Sequence, residues 1–165
     1  MSSSKIPIIE YENTDELNTF FEKCENALFD ENNRKTFDYP KESIEPWNTT
    51  EIKKQNEDLL KTLRNQVSVY AIFTTSIKNE NFTVKYIGQT KSSDARGRLS
   101  NHLIKKDKKT GAKLHLVQKH IKEGGKVKVS YILIEPESLR HYIEERLIQK
   151  YSINLNWNTH TKNTT

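Results

Sequence analysis

Cysteine is nearly absent from this chain. Cys24 stands alone among 165 residues, which rules out an internal disulfide and any zinc site built from cysteines. It falls within a helical apolar pattern, so a packed thiol is expected rather than a reactive one. No apolar run is long enough to span a bilayer, and the start, Met1-Ser2-Ser3-Ser4-Lys5-Ile6-Pro7, lacks the apolar stretch of a signal peptide. A cytoplasmic protein without a membrane partner is the expectation. Hydrophobic residues make up only 33% of the chain and charged ones 30%, so a modest core under a heavily solvated surface is predicted. Repeats and low-complexity tracts are missing as well.

What is present is an uneven charge. Residues 1–67 carry 9 Lys/Arg against 14 Asp/Glu, a net of −5, whereas residues 68–165 carry 18 against 8, a net of +10. The second part has the balance of a domain that binds a polyanion. The first part reads as an acidic helical extension, residues 1–66. Leu17, Phe20, Phe21, Cys24 and Leu28 have helical spacing, and a second helix is predicted from Thr50 to about Asn65. Between them, Asn32 to Asn48 reads as a connecting loop.

Residues 67–165 read as the main domain. Gln66–Thr75 and Phe82–Gly88 form a predicted hairpin around a polar loop. With that loop centred on Lys78, Tyr70 falls opposite Tyr86, and both phenols project to one side. Helices are predicted over 95–106 and 113–123, then a strand over 127–134. A last helix is predicted from Pro136 to about Tyr151. The order strand, strand, helix, helix, strand, helix implies an α+β fold with a three-stranded antiparallel sheet flanked by helices.

Several chemically capable groups lie close together in this part. Arg98 and His102 are four residues apart, hence on one helix face. A guanidinium fork suits the two non-bridging oxygens of a phosphodiester. An imidazole at His102 can serve as base, proton relay or metal ligand. On the last helix Leu139, Tyr142, Ile143 and Leu147 form the apolar stripe, and Glu144 lies at its border. A carboxylate there needs a partner, either a divalent cation or a cation such as Arg140 or Lys150. Glu145 points nearly opposite the stripe.

These residues together resemble the GIY-YIG nuclease superfamily. The likeness runs from about Val67 to Asn158, through Val69-Tyr70, Tyr86-Ile87-Gly88, Arg98 with His102, Glu144 with Leu147-Ile148, and Tyr151 to Asn156. Ser68 stands where the first glycine of the name motif is expected, and the Arg–His spacing resembles the restriction-enzyme branch. The resemblance implies a divalent-metal-dependent DNA endonuclease of restriction or host-defence type. A structure-specific nuclease and a non-catalytic nucleic-acid-binding module are the alternatives. It implies Tyr70 as general base, directly or through His102, although a free phenol titrates near 10. Tyr86 would orient the water or the phosphate, and Arg98 would clamp that phosphate. Glu144 would bind one Mg²⁺ or Mn²⁺ ion per site, and Asn156, preferred to Asn158 on spacing, would hold the site together by hydrogen bonding. Lys105, Lys106, Lys108, Lys109, Lys126 and Lys128 are expected to join Arg98 in contacting DNA phosphates. Duplex cleavage is expected to need a homodimer, at least on DNA, or two successive nicks.

Overall fold

The computed structural model describes residues 5–64, 66–75, 81–91, 95–105 and 113–158, with the side chains of 95 and 96 excepted. The β-branched and aromatic run Ser68–Thr75 forms β2, buried along its whole length because it has a strand on each side and helices on both faces. Thr83–Thr90 (β3) pairs with it on one side and Lys126–Leu133 (β4) on the other, both antiparallel. The three-residue strand Lys35–Phe37 (β1) pairs with β4. The sheet therefore has four strands in the order β1-β4-β2-β3, not the three expected from the sequence. The fourth comes from the segment read as a loop, where three residues are too few to show a period of two.

Among the described residues six α-helices complete the α+β fold: α1 (Thr14–Phe29), α2 (Thr49–Gln55), α3 (Glu57–Thr62), α4 (Ala95–Leu103), α5 (Leu114–Lys122) and α6 (Leu139–Lys150). The single helix expected from Thr50 to Asn65 is broken at Asn56. This buried amide donates to the carbonyls of Ile52 and Asp38 and accepts the Asp38 N–H, tying the break to the end of β1. No described helix is long and apolar enough to cross a membrane.

Alternation along the strands divides the core in two. Val69, Ala71, Phe73 and Ile87 pack with Phe21, Cys24 and Leu28 of α1 and with Ile143 and Leu147 of α6. On the opposite face, Tyr70, Ile72, Tyr86, Val127 and Val129 pack with residues of α2 to α5, among them Ile52, Leu60, Leu99, Leu103, Val117 and Ile121. Cys24 is buried, and burial raises its thiol pKa, in keeping with a packed role.

The described segment from α1 through α3 thus contributes β1 to the sheet and side chains to both core clusters, and it also holds two helices of the basic part in place. Lys150 of α6 pairs with Glu25 at 2.6 Å, and the Tyr151 hydroxyl donates to Glu25 at 2.8 Å. Arg146 donates to Asn18 and stacks over Phe21, 4.0 Å from the ring centre. At the end of α4, Tyr39 and the Trp47 indole donate to the carbonyls of Leu103 and Ile104. Those carbonyls lie at and just past the helix's C-terminus, where backbone acceptors lack partners within the helix.

Candidate active site

β3 is an edge strand, and the expected site residues gather around it from both faces of the sheet. Tyr70 pairs with Gly88 rather than with Tyr86, and Tyr86 pairs with Ile72. The register differs by two residues from the expected one, so the faces are preserved and both phenols still project to the same side. A bulge lies between this stretch and the next pairing, Phe73 with Val84. It leaves Lys85 without an opposing residue on β2 and returns Val84 to the face of Ile87.

Gly88 explains how a side chain from the inner strand β2 reaches this edge. A Cβ on Gly88 would sit 2.6 Å from both Cζ and the hydroxyl oxygen of Tyr70. The Tyr70 ring therefore lies directly over the glycine and crosses β3 where only a hydrogen stands. Gly88→Ala is expected to destabilise the fold by about 1–3 kcal/mol through overpacking and to displace the Tyr70 hydroxyl. Thermal melts and the tyrosine ring signals in NMR would check both effects.

The rings of Tyr70 and Tyr86 stack with centroids 6.0 Å apart, and the His102 ring lies 4.7 Å from that of Tyr86. Arg98, one turn before His102 on α4, is electrostatically coupled to both phenols. Burial drives the Tyr70 pKa well above the ordinary phenol value. Tyr86 adds to that rise, and Arg98 opposes it. The buried Tyr70 hydroxyl completes no hydrogen bond of good geometry among the described residues.

His102 differs from the expected proton relay. Its Nδ1 accepts the backbone N–H of Lys113 at 3.1 Å. Burial, with Arg98 and Lys113 nearby, lowers its pKa to about 4. The neutral ring then carries its proton on Nε2. It can donate a hydrogen bond there but has no free site to take a proton from Tyr70. Lys113 is buried beside it, a neighbour the sequence did not single out because its only cue was a place at the start of a helix.

Glu144 comes to the same edge from α6 on the other face. It is half-buried, its pKa rises to about 6 through burial, and Arg98 and Arg140 pull in the opposite direction. Neither expected ion pair forms. Arg140 is engaged with Gln89 and the Glu137 carbonyl, while Lys150 is paired with Glu25. Among the described residues no group of three or more His, Cys, Asp or Glu side chains stands together. A single desolvated carboxylate without an ion pair suits a magnesium-like ion, which keeps several waters and takes one or two carboxylates plus substrate phosphate oxygens.

The asparagine expectation is corrected. Asn156 is exposed, and its side chain makes no hydrogen bond to a described residue. Asn158 is buried, accepts the Ile87 N–H at 2.9 Å and donates to the Ile87 carbonyl at 2.9 Å. The Trp157 N–H donates to the Lys85 carbonyl. The chain after α6 thus closes the free edge of β3 and holds the Tyr86-Ile87-Gly88 backbone. Spacing from Glu144 favoured the wrong asparagine because it carries no information on which side chain turns inward.

Of the lysines expected at phosphates, Lys105 is exposed just beyond α4, while Lys106, Lys108 and Lys109 lie outside the described residues. Lys126 and Lys128 sit on β4 opposite Thr75 and Phe73, toward the hairpin end of the sheet. Lys128 lies over the Phe82 ring on the α1/α6 side, away from the phenols. The structure therefore groups Tyr70, Tyr86, Arg98, His102 and Glu144, and leaves Asn156, Lys126 and Lys128 apart. No protein-family model, curated protein or solved structure matches the chain.

Proposed function

We propose that the protein is a divalent-metal-dependent DNA endonuclease of the GIY-YIG type, with its site at the edge of β3. The observation that carries this reading is the meeting of two buried phenols, a guanidinium and a neutral imidazole with a carboxylate that reaches the same edge from the opposite face. In this reading Arg98 holds the non-bridging oxygens of the scissile phosphate and offsets the charge that builds up there. His102, fixed by Lys113 with its proton on Nε2, donates a hydrogen bond to the phosphate or the attacking water. Tyr70 and Tyr86 orient that water. Phenolate formation at Tyr70 is opposed by burial, so its base role depends on positive charge nearby, of which Arg98 is the resident source.

Attack by water on phosphorus breaks the bond to the 3′ oxygen and leaves a 5′-phosphate and a 3′-hydroxyl. Glu144 would hold one Mg²⁺ or Mn²⁺, which would supply Lewis-acid support for the leaving oxygen. The basic balance of residues 68–165 supplies the attraction for a polyanion. A restriction or host-defence role, and a homodimer on duplex DNA, belong to the same proposal.

The test is digestion of defined single-stranded, duplex and branched DNAs with Mg²⁺ or Mn²⁺, with the ends mapped. Discrete cuts are expected, and Arg98→Ala is expected to slow them by about 10²–10³-fold. A wild-type protein that cuts none of these DNAs with either metal would overturn the reading.

A further inference from the structure

From the sequence Arg140 is a candidate counter-ion for Glu144, but the structure gives it different partners. Its Nε donates to the Gln89 side-chain oxygen at 2.9 Å, and its Nη1 donates to the Glu137 carbonyl at 2.9 Å. Gln89 directly follows the glycine over which Tyr70 crosses β3, so the guanidinium is pinned to the strand that carries the site. No carboxylate pairs with it among the described residues, and Nη2 makes no hydrogen bond to them. Arg140 is half-buried at the start of α6, one helical turn before Glu144. A turn advances about 5.4 Å along the axis, so Arg140 is displaced along α6 from the carboxylate.

Two arginines thus flank one carboxylate, Arg98 from α4 and Arg140 from α6. A guanidinium with two fixed donors and a free edge is preorganised for an anion, since little rotamer freedom remains to be lost on binding. One scissile phosphate needs one clamp. The second cation, displaced along the helix and held by its own strand contact, suits a neighbouring phosphate.

Building on the nuclease reading, we propose that Arg140, held by Gln89, grips the backbone phosphate next to the scissile one. The substrate is then an internal phosphodiester within a strand. A terminal phosphomonoester or an isolated diester would leave Arg140 without its anion. Arg140 is also a structural tie between β3 and α6, so its test needs a readout that a tie alone would not move.

That readout is a scan of neutral methylphosphonates through a cleaved duplex, one linkage at a time, with wild type and Arg140→Gln. For the wild type, a neutral linkage at one position adjoining the cut is expected to slow cleavage about tenfold. Arg140→Gln is expected to cut the all-phosphate duplex about tenfold more slowly and to lose sensitivity at that position alone. Equal sensitivity of both proteins there would overturn the proposal. So would a wild-type scan with no sensitive linkage beside the cut, a result that needs no variant to fold.

Binding of the same duplexes in Ca²⁺ separates this proposal from the nuclease reading. If the wild type cuts nothing but binds with an Arg140-dependent loss at one linkage, the phosphate contact stands and the nuclease reading falls. If it cuts and neither scan shows that dependence, the nuclease reading stands and the contact falls.

Discussion

Glu144→Gln is expected to abolish metal-dependent cleavage and, at the same time, to stabilise the metal-free protein above pH 6. Glutamine keeps the shape but not the charge, so on the proposed reading a divalent cation would lose its one carboxylate ligand. A drop on the order of 10³-fold in rate corresponds to the several kcal/mol that a metal supplies at a developing alkoxide. The stability effect follows from the raised pKa. Burial lifts the folded-state value from 4.5 to about 6, so the native state holds this proton more tightly than the unfolded chain does. The resulting stabilisation is full below about pH 4.5 and is lost as pH rises through 6. Above that, the native protein carries a desolvated carboxylate, a penalty that glutamine avoids. Thermal melts in chelator should show Glu144→Gln above wild type at pH 8, with the gap closing toward pH 4.5. A variant less stable than wild type at pH 8 would mean that the carboxylate has a resident partner. Because protons and metal compete for the same oxygens, the metal requirement of wild-type cleavage is expected to ease as pH rises past 6.

Asn158→Ala is expected to lower stability by about 3 kcal/mol, whereas Asn156→Ala changes it by less than about 0.5 kcal/mol. Asn158 makes two hydrogen bonds to the backbone of Ile87, both buried. Its removal leaves a buried N–H and a buried carbonyl without their partner, at roughly 1–3 kcal/mol for each group left unmade. The exposed Asn156 has no such bond, and surface substitutions of that kind stay within about half a kcal/mol. For a chain of this size the Asn158 variant should melt roughly 6–12 °C lower. Cleavage should fall as well, since Ile87 lies between Tyr86 and the glycine beneath Tyr70. Equal melting temperatures for the two variants would mean that the β3 edge is not held by Asn158.

Much of the candidate site's geometry was legible because its spacing is local. Arg98 and His102 share a helix face by arithmetic. Glu144 was singled out by its place beside the buried Ile143 and Leu147, and it does sit half-buried without an ion pair. The phenols share a face because a two-residue change of register preserves it. What failed depended on contacts distant in sequence. His102 could not be assigned as a neutral donor before Lys113 was seen against its Nδ1. Asn158 bonds to a residue 71 positions away. The charge split marks residues 1–66 as an acidic extension but does not show that its Leu28, Phe37 and Ile52 are buried core residues. Charge describes the solvated face of a segment and is silent about the other.

By itself the sequence determined the periodicities. They specify two amphipathic helical stretches in the acidic part (the second broken at Asn56 in the structure), a hairpin, three further helices and a strand, with the reactive side chains on definite faces. Local sterics and burial act over a few residues and leave a readable pattern. The tertiary structure alone decided the fourth strand, the closing of the β3 edge, the tautomer of His102 and the partners of Arg140. Each rests on a hydrogen bond or packing contact between elements far apart in the chain, and such contacts have no period to read.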